Sequence, residues 1–159
     1  MDANRTQERT VRQVRVGIDL VHVPDVTASI AEFGDRYLRR VYSPGEIASC
    51  TTVDGGLSAD RLAARFAAKE AVIKALRPAY GIDYRTIEVV RDADGAPSID
   101  FGSTGAGARL SAESGVVSAS VSLTHDGEYA SAVFMALTAT PITDISNTAR
   151  TSQTTGAAR

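Results

Sequence analysis

The sequence contains few of the residues that stabilise secreted domains or anchor a chain in a membrane. Its one cysteine is Cys50, and it has no tryptophan. One cysteine excludes a disulfide within the chain, so we expect a reducing, cytoplasmic environment. No apolar run approaches the ~20 residues of a membrane-spanning helix, and the opening stretch MDANRTQERT lacks the apolar core of a signal peptide. We therefore expect no membrane partner.

A large charge of either sign is also missing. The 159 residues include 17 Lys and Arg against 19 Asp and Glu, for a formal net charge of −2. This near-neutral balance argues against nucleic-acid binding, and the cysteine and the two histidines show no zinc-site spacing. Hydrophobic residues make up 43% of the chain, which is enough for a single core in one soluble domain.

Both ends of the chain are polar and poor in large apolar residues. The last segment, residues 140–159, consists mostly of Thr, Ser, Ala and other small or polar residues. Such composition does not bury enough apolar surface to offset the entropy of ordering the chain. We therefore expect residues 1–10 and 140–159 to be disordered, and residues 11–139 to form the domain.

The stretch VRVGIDLV alternates apolar and other residues, which predicts the first β-strand. Val14, Val16, Ile18 and Leu20 share one face of this strand. Asp19 lies on the opposite face, together with the intervening glycine and arginine. We therefore expect Asp19 to point away from the apolar face.

Helical spacing and capping signals predict three helical stretches after this strand. The first begins with Pro24 in its first turn and breaks at Gly34 before it resumes. The second begins with Ser43 as N-cap and Pro44 at its first position. The longest, residues 59–77, lies between a capping serine and a terminating proline. At 1.5 Å per residue it is roughly 28 Å long, enough to cross a small domain.

Two hairpins follow, with turns at Asp94-Gly95 and Asp126-Gly127, and a short helix or turn separates them. In the first strand of the second hairpin two sets of side chains alternate. We place Val117, Ala119, Val121 and Leu123 on one face, and Ser118, Ser120, Ser122 and Thr124 on the other. The predicted fold class is α+β, a mostly antiparallel sheet of three to five strands packed on one long helix.

The long helix contains the stretch RFAAKEAVIKA, which places the carboxylate of Glu70 among apolar residues. Glu70 and Lys74 are neighbours on the helix surface because they are four residues apart. Glu70 and Asp19 would together suit Mg²⁺, which keeps several waters and takes further ligands from substrate phosphates. Positive side chains for those phosphates are available at Arg65, Lys69, Lys74 and His125.

Three motifs in this order resemble the holo-acyl-carrier-protein synthase family of 4′-phosphopantetheinyl transferases. They are GID at residues 17–19, FAAKEAVIKA at residues 66–75 and SLTH at residues 122–125. The resemblance extends over residues 14–137 and points to the short bacterial type. It implies the fold of that family and a reaction in which coenzyme A and a serine of an apo acyl carrier protein give the holo carrier and 3′,5′-ADP. It also implies Mg²⁺ as cofactor and a homotrimer with sites at the subunit interfaces.

The resemblance also assigns roles to residues of this chain. It implies that Asp19, Glu70 and Lys74 are catalytic and that Asp19 and Glu70 hold the metal. Coenzyme A would contact a larger set, namely Arg65, Lys69, Lys74, Ser122, Thr124 and His125. In the trimer, one subunit would contribute Asp19, Arg65, Glu70 and Lys74, and its neighbour would contribute His125. For the base that accepts the serine proton, the sequence leaves Glu70, a metal-bound water and Asp126 open.

Two positions depart from the family pattern. Asp25 stands where the family often has an arginine that contacts the acidic carrier, and His22 stands where it has an acidic residue. We therefore expect the cluster of Arg36, Arg39 and Arg40 to attract the carrier instead.

Two other functions agree with the same residues. One is a catalytically silent module that binds carrier proteins, and the other is a Mg²⁺-dependent nucleotide-binding protein without transfer. The sequence also leaves open whether the carrier serves fatty-acid, polyketide or peptide synthesis.

Overall fold

The computed structural model describes residues 10–141, which form a three-stranded sheet, a separate hairpin and five α-helices. In chain order the elements are β1 (Thr10–His22), α1 (Val23–Phe33), α2 (Asp35–Val41), α3 (Pro44–Cys50), α4 (Ala59–Leu76), a 3₁₀ turn (Tyr84–Thr86), β2 (Glu88–Arg91), β3 (Pro97–Asp100), α5 (Gly105–Glu113), β4 (Val116–Asp126) and β5 (Tyr129–Pro141). Across residues 10–141, no helix is both long enough and apolar enough to span a bilayer.

The sheet is antiparallel with the strand order β1-β5-β4, and β2 and β3 pair only with each other. The 18-residue helix α4 packs against the sheet, which confirms the predicted α+β class. The strands extend slightly beyond the expected domain, since β1 begins at Thr10 and β5 ends at Pro141. The rest of the two segments predicted to be disordered lies outside the described residues.

Most predicted helix boundaries are confirmed. Gly34 separates α1 from α2 with a backbone φ of 53°, a value that glycine adopts at little cost. Ser43 caps α3 and forms a reciprocal capping box with Glu46. Ser58 does precede α4, but its hydroxyl bonds the carboxylate of Asp60 and caps no backbone N–H.

The hairpins also agree with the predicted positions, with two local differences. The β4–β5 turn occupies Gly127 and Glu128, because Asp126 is still paired with Tyr129. A bulge between Val116 and Ser118 takes Val117 out of the predicted alternation, and Val117 is 58% exposed.

The backbones of β1 and α4 lie unusually close together at Gly17. A Cβ atom at this position would lie 1.9 Å from the carbonyl oxygen of Ala71, so no other residue fits without moving the strand or the helix. The residues of the helix at this contact, Ala71 and Ala75, are small and buried. This close approach brings the next inward-facing residue of β1, Asp19, to the surface of α4.

The apolar face of β1 does not pack against α4. Val14, Val16, Ile18 and Leu20 alternate as predicted, but they are 59–64% exposed. Their register partners on β5 and β4 extend the same face with Val133, Met135, Ser118, Ser120, Ser122 and Thr124. We call this surface the outer sheet face. An exposed apolar patch of this kind is characteristic of an interface.

Candidate active site

Beside α4, the end of β1 and the helix α1 form a cleft of about 450 Å³, which we call the acidic cleft. Its lining includes Asp19, Glu70, Asp25 and His22. The side chain of Asp19 is only 13% exposed, and its Oδ1 lies 2.6 Å from the Nζ of Lys74. The structure therefore brings together the three residues for which a catalytic role was predicted.

Local structure explains this arrangement. Glu70 and Lys74 project from one face of α4 because they are one helical turn apart. Asp19 reaches them because Gly17 lets β1 approach the helix. The ammonium group of Lys74 donates a hydrogen bond to Asp19, which raises the pKa of Lys74. Lys74 therefore stays positively charged at neutral pH.

The donor set of the acidic cleft fits Mg²⁺. Within residues 10–141, no group of three or more His, Cys, Asp or Glu side chains has a geometry that could hold a metal ion. Asp19 and Glu70 line the cleft, and the other His and Asp side chains of its lining, His22 and Asp25, contact each other. Mg²⁺ commonly binds in this way, with one or two carboxylates and the remaining positions filled by water and substrate phosphate.

Tyr84 contacts Glu70 and is a functional candidate that sequence reasoning missed. Its hydroxyl donates a hydrogen bond to the Oε1 of Glu70. Burial, together with this hydrogen bond, raises the pKa of Tyr84 to about 12, so the hydroxyl stays protonated and remains a donor. Tyr84 lies outside all three motifs. It is 14 residues away from Glu70 and on a different element, so neither helix nor strand periodicity indicated that the two residues are in contact.

Lys69 does not have the role predicted for it. Its side chain is fully buried, with Nζ 2.7 Å from the Oε2 of Glu46. Nζ also donates to the main-chain oxygens of Tyr84 and Ile87, at 2.8 and 2.6 Å. Burial lowers the pKa of Lys69, an effect that Glu46 opposes. The prediction that Lys69 contacts coenzyme A is therefore wrong, because the ammonium group has no access to a phosphate.

A second cleft, of about 400 Å³, lies between α4 and the strands β2 and β4. We call it the basic cleft, because its lining includes Arg61, Arg65, Arg91 and His125. Arg65 donates to the hydroxyl of Ser49 at 3.0 Å, while its buried Nε has no hydrogen-bond partner among the described residues. The structure thus lines one cleft with Arg65 and His125 of the same chain, although the prediction placed them on different subunits, and it adds Arg61 and Arg91.

The acidic and basic clefts open on different sides of α4. Arg65 and Glu70 are five residues apart, so they project about 140° apart around the helix axis, and Arg61 projects about 180° from Glu70. Neither arginine lines the acidic cleft. The prediction that Arg65 and Glu70 of the same subunit serve one site is therefore not supported by the arrangement of a single chain.

Ser122 and Thr124 line neither cleft. Both are exposed on the outer sheet face, opposite Val133 and Ser131 of β5. His125 follows Thr124 on the strand, so its side chain points to the other face, toward the basic cleft. A single chain therefore does not place these two hydroxyls where the predicted contact with coenzyme A requires them.

A third concavity, of about 750 Å³, lies along α2 and includes the predicted docking cluster. We call it the arginine groove; its lining is Phe33, Arg36, Tyr37, Arg39, Arg40 and Arg85. Arg39 is paired with Asp35 at 2.7 Å and Arg85 with Asp83 at 2.6 Å. Tyr37 also lines the acidic cleft, so the groove adjoins the predicted metal site.

The candidates for a general base are now separated in space. Glu70 lines the acidic cleft, whereas Asp126 lines neither the acidic nor the basic cleft. His22, one of the two departures noted above, also lines the acidic cleft. Its Nδ1 lies 3.0 Å from the Oδ1 of Asp25, the other departure. The two unusual residues therefore contact each other at the edge of the site.

Comparisons with known proteins find related sequences and structures. The model of the 4′-phosphopantetheinyl transferase superfamily matches residues 15–134. A holo-[acyl-carrier-protein] synthase of Gloeobacter violaceus is 44% identical over 117 residues, which cover 73% of this chain and 86% of that protein.

Two solved structures are also similar. An acyl carrier protein synthase of Mycobacterium tuberculosis is 40% identical with a TM-score of 0.58, covering 77% of this chain and 95% of that one. A holo-[acyl-carrier-protein] synthase of Helicobacter pylori in complex with coenzyme A is 27% identical with a TM-score of 0.64, covering 79% and 99%.

Proposed function

The chain belongs to the 4′-phosphopantetheinyl transferase superfamily, and we propose that it is a holo-acyl-carrier-protein synthase. It transfers the 4′-phosphopantetheine group of coenzyme A to a serine of an apo acyl carrier protein and releases 3′,5′-ADP. The observation that carries this proposal is that Asp19 and Glu70 line one cleft and that Lys74 is paired with Asp19, in a chain whose relatives are holo-acyl-carrier-protein synthases. We place the reaction in the cytoplasm, since Cys50 is a buried free thiol.

The two clefts match the two ends of the nucleotide part of coenzyme A. The pyrophosphate belongs in the acidic cleft, where Asp19 and Glu70 would hold Mg²⁺ and Lys74 would add a positive charge. The 3′-phosphate belongs in the basic cleft, where arginine side chains offer paired N–H donors to phosphate oxygens. Arg65 and His125, which were predicted from the sequence to contact coenzyme A, both line this cleft.

The reaction exchanges one phosphorus–oxygen bond for another. The serine oxygen attacks the phosphorus that carries the pantetheine arm, and the bond from that phosphorus to the bridging oxygen of the pyrophosphate breaks. Magnesium supplies charge neutralisation at the pyrophosphate when it is bound. Lys74 stabilises negative charge that develops on the departing 3′,5′-ADP. Of the two side chains considered as the base, Glu70 lines this cleft and Asp126 does not, so we assign the serine proton to Glu70, whose oxygens have lone pairs beyond the one that accepts from Tyr84.

We propose that the protein is a homotrimer in which each site combines two subunits. Two observations support this assembly. The acidic and basic clefts lie on different sides of α4, so an extended coenzyme A would bridge the acidic cleft of one chain and the basic cleft of its neighbour. The apolar outer sheet face is exposed in a single chain, and burying it between subunits would stabilise the assembly. Light scattering that detects an active monomer at assay concentration would contradict this proposal.

The acyl carrier protein docks at the arginine groove. Carrier proteins of this class are typically acidic, and the groove combines four arginines with an exposed aromatic side chain, Phe33. Because Tyr37 lines both the groove and the acidic cleft, a carrier held there has its serine close to the metal site. Ser122 and Thr124 would reach coenzyme A only from a neighbouring subunit, across the outer sheet face.

Mass spectrometry of a carrier incubated with the protein, coenzyme A and Mg²⁺ tests the activity. We expect the carrier serine to gain one phosphopantetheine group, and we expect chelation of Mg²⁺ with EDTA to abolish the gain. A carrier that binds without gaining mass would indicate the silent binding module. Binding of coenzyme A without either event would indicate a nucleotide-binding protein.

A further inference from the structure

Two consecutive residues of α4, Lys69 and Glu70, form hydrogen bonds with the main chain and the side-chain hydroxyl of Tyr84. The ammonium group of Lys69 donates to the main-chain oxygen of Tyr84 at 2.8 Å, and the carboxylate of Glu70 accepts the hydrogen bond of the Tyr84 hydroxyl. The 3₁₀ turn that begins at Tyr84 is therefore attached to the helix through both the main chain and the side chain of one residue.

The main-chain attachment is anchored in the core. Lys69 is fully buried against Glu46 at 2.7 Å. The same Glu46 carboxylate accepts from the main-chain N–H groups of Ser43 and Val89, at 2.9 and 3.0 Å. A buried charge that is paired and hydrogen-bonded on every side leaves little freedom to the groups it contacts. The position of the Tyr84 main chain is thus determined by interactions that lie away from the acidic cleft.

The side chain of Tyr84 is restricted as well. Its ring packs against Phe66, with ring centroids 5.6 Å apart and a tilt of 43° between the ring planes. With the ring held in this way, the Tyr84 hydroxyl donates to the Oε1 of Glu70 from a fixed position. By engaging Oε1 it selects one orientation of the Glu70 carboxylate and leaves the second oxygen for a cation.

We propose that Tyr84 is a positioning residue of the magnesium site, and that the buried pair of Lys69 and Glu46 acts on that site through it. The proposal rests on the proposed role of Glu70 as a magnesium ligand. Hydrogen-bond partners of metal-binding side chains fix the orientation of the ligand, and their removal typically costs about ten- to a hundredfold in metal affinity. Tyr84 has this relation to Glu70, while Lys69 and Glu46 determine where Tyr84 lies.

The substitution Tyr84→Phe tests this inference, because it keeps the ring that packs on Phe66 and removes only the hydroxyl. The affinity for Mn²⁺, with coenzyme A present, is measured by electron paramagnetic resonance and then by competition with Mg²⁺. We expect the dissociation constant to rise by about tenfold. The Mg²⁺ concentration that half-saturates transfer should rise in parallel, with kcat restored at high Mg²⁺. Urea unfolding of the same sample shows whether the variant is folded.

Tyr80→Phe is the matched control. The hydroxyl of Tyr80 also donates to a carboxylate, that of Glu113, at 2.9 Å, but neither residue lines the acidic cleft. We expect this variant to bind Mn²⁺ as the wild type does. Tyr84→Leu lacks the same hydroxyl and replaces Tyr84→Phe in the measurement if the phenylalanine variant does not fold.

The outcomes separate this inference from the proposed function. A change in Mn²⁺ affinity of less than threefold in Tyr84→Phe, or an equal change in Tyr80→Phe, overturns the role of Tyr84 while the metal site stands. A wild-type protein that performs transfer without binding Mn²⁺ or Mg²⁺ overturns the metal site itself, and the role of Tyr84 with it.

Discussion

The acidic and basic clefts lie on two sides of the same helix, but their side chains are held in different ways. In the acidic cleft, Asp19 is 13% exposed and bonded to Lys74, and Glu70 is bonded to Tyr84. In the basic cleft, Arg61 and Arg91 are exposed and come from different elements. Chemistry at a phosphorus atom requires fixed positions, whereas binding of an anion tolerates several. We therefore expect substitutions in the acidic cleft to lower kcat, and substitutions in the basic cleft to raise the KM for coenzyme A.

The largest expected effect is that of Glu70→Gln in the acidic cleft. Glutamine keeps the shape of the side chain but removes the charge that Mg²⁺ requires. We expect kcat to fall by at least ~10²-fold, which corresponds to about 2.7 kcal/mol of the activation barrier, while the fold is retained. Steady-state transfer assays at saturating Mg²⁺ measure the effect. The control is Glu113→Gln, which removes a carboxylate that also accepts from a tyrosine. Near-normal turnover of Glu70→Gln would show that Glu70 is not a ligand.

Mixing two variants that are both impaired at low coenzyme A tests whether the two clefts of one site belong to different subunits. Glu70→Gln damages only the acidic cleft, and Arg65→Glu damages only the basic cleft. In trimers that contain equal amounts of the two variants, each cleft of a two-subunit site is intact in about half of the cases. About one quarter of the sites would therefore combine an intact acidic cleft with an intact basic cleft of the neighbour. We therefore expect co-expression of the two variants to restore up to about a quarter of the wild-type rate, measured at low coenzyme A. If Arg65 and Glu70 of one chain shared a site, every site would carry a defect and no activity would return.

The outcome for individual residues shows which features of the site a sequence can reveal. The strand face of Asp19 and the proximity of Glu70 to Lys74 were predictable, because strand and helix periodicity determine them. The burial of Lys69 was not, since its partner Glu46 lies 23 positions earlier on another helix and only tertiary packing brings the two together.

The two faces of the sheet show a similar limit of sequence-based prediction. Alternation correctly separated Ile18 from Asp19, and Ser122 from Leu123, but it carries no information about which face meets the helix. An apolar face that packs in the core and one that is exposed for another subunit have the same pattern. The sequence therefore predicted the antiparallel sheet and its packing on α4, but not the outward position of Ile18.

A smaller effect is expected from Arg65→Ala in the basic cleft. Hydrogen bonds between charged groups contribute about 1.5–3 kcal/mol, so loss of one arginine–phosphate contact should raise the KM for coenzyme A by about ten- to a hundredfold. We expect kcat to change by only a few-fold, since Arg65 lines the cleft away from the reacting phosphorus. Arg77→Ala, a substitution of an exposed arginine outside both clefts, is the control. A fall in kcat with unchanged KM would place Arg65 in the chemistry and remove the distinction between the clefts.

The smallest effect concerns the arginine groove, which contacts the macromolecular substrate. Arg36 and Arg40 lie one turn apart on α2, and neither forms an ion pair within residues 10–141. Because exposed charges are screened within ~8–10 Å at physiological salt, we expect Arg36→Glu with Arg40→Glu to raise the carrier KM severalfold at low salt. The KM for coenzyme A should stay nearly unchanged, and the carrier KM should depend less on salt, because attraction between carrier and groove is what salt screens. Arg77→Glu with Arg109→Glu makes the same change in net charge outside the groove, and should leave the carrier KM close to that of the wild type. If both pairs raised it equally, net charge and not the groove would attract the carrier, and the docking surface would have to be sought elsewhere.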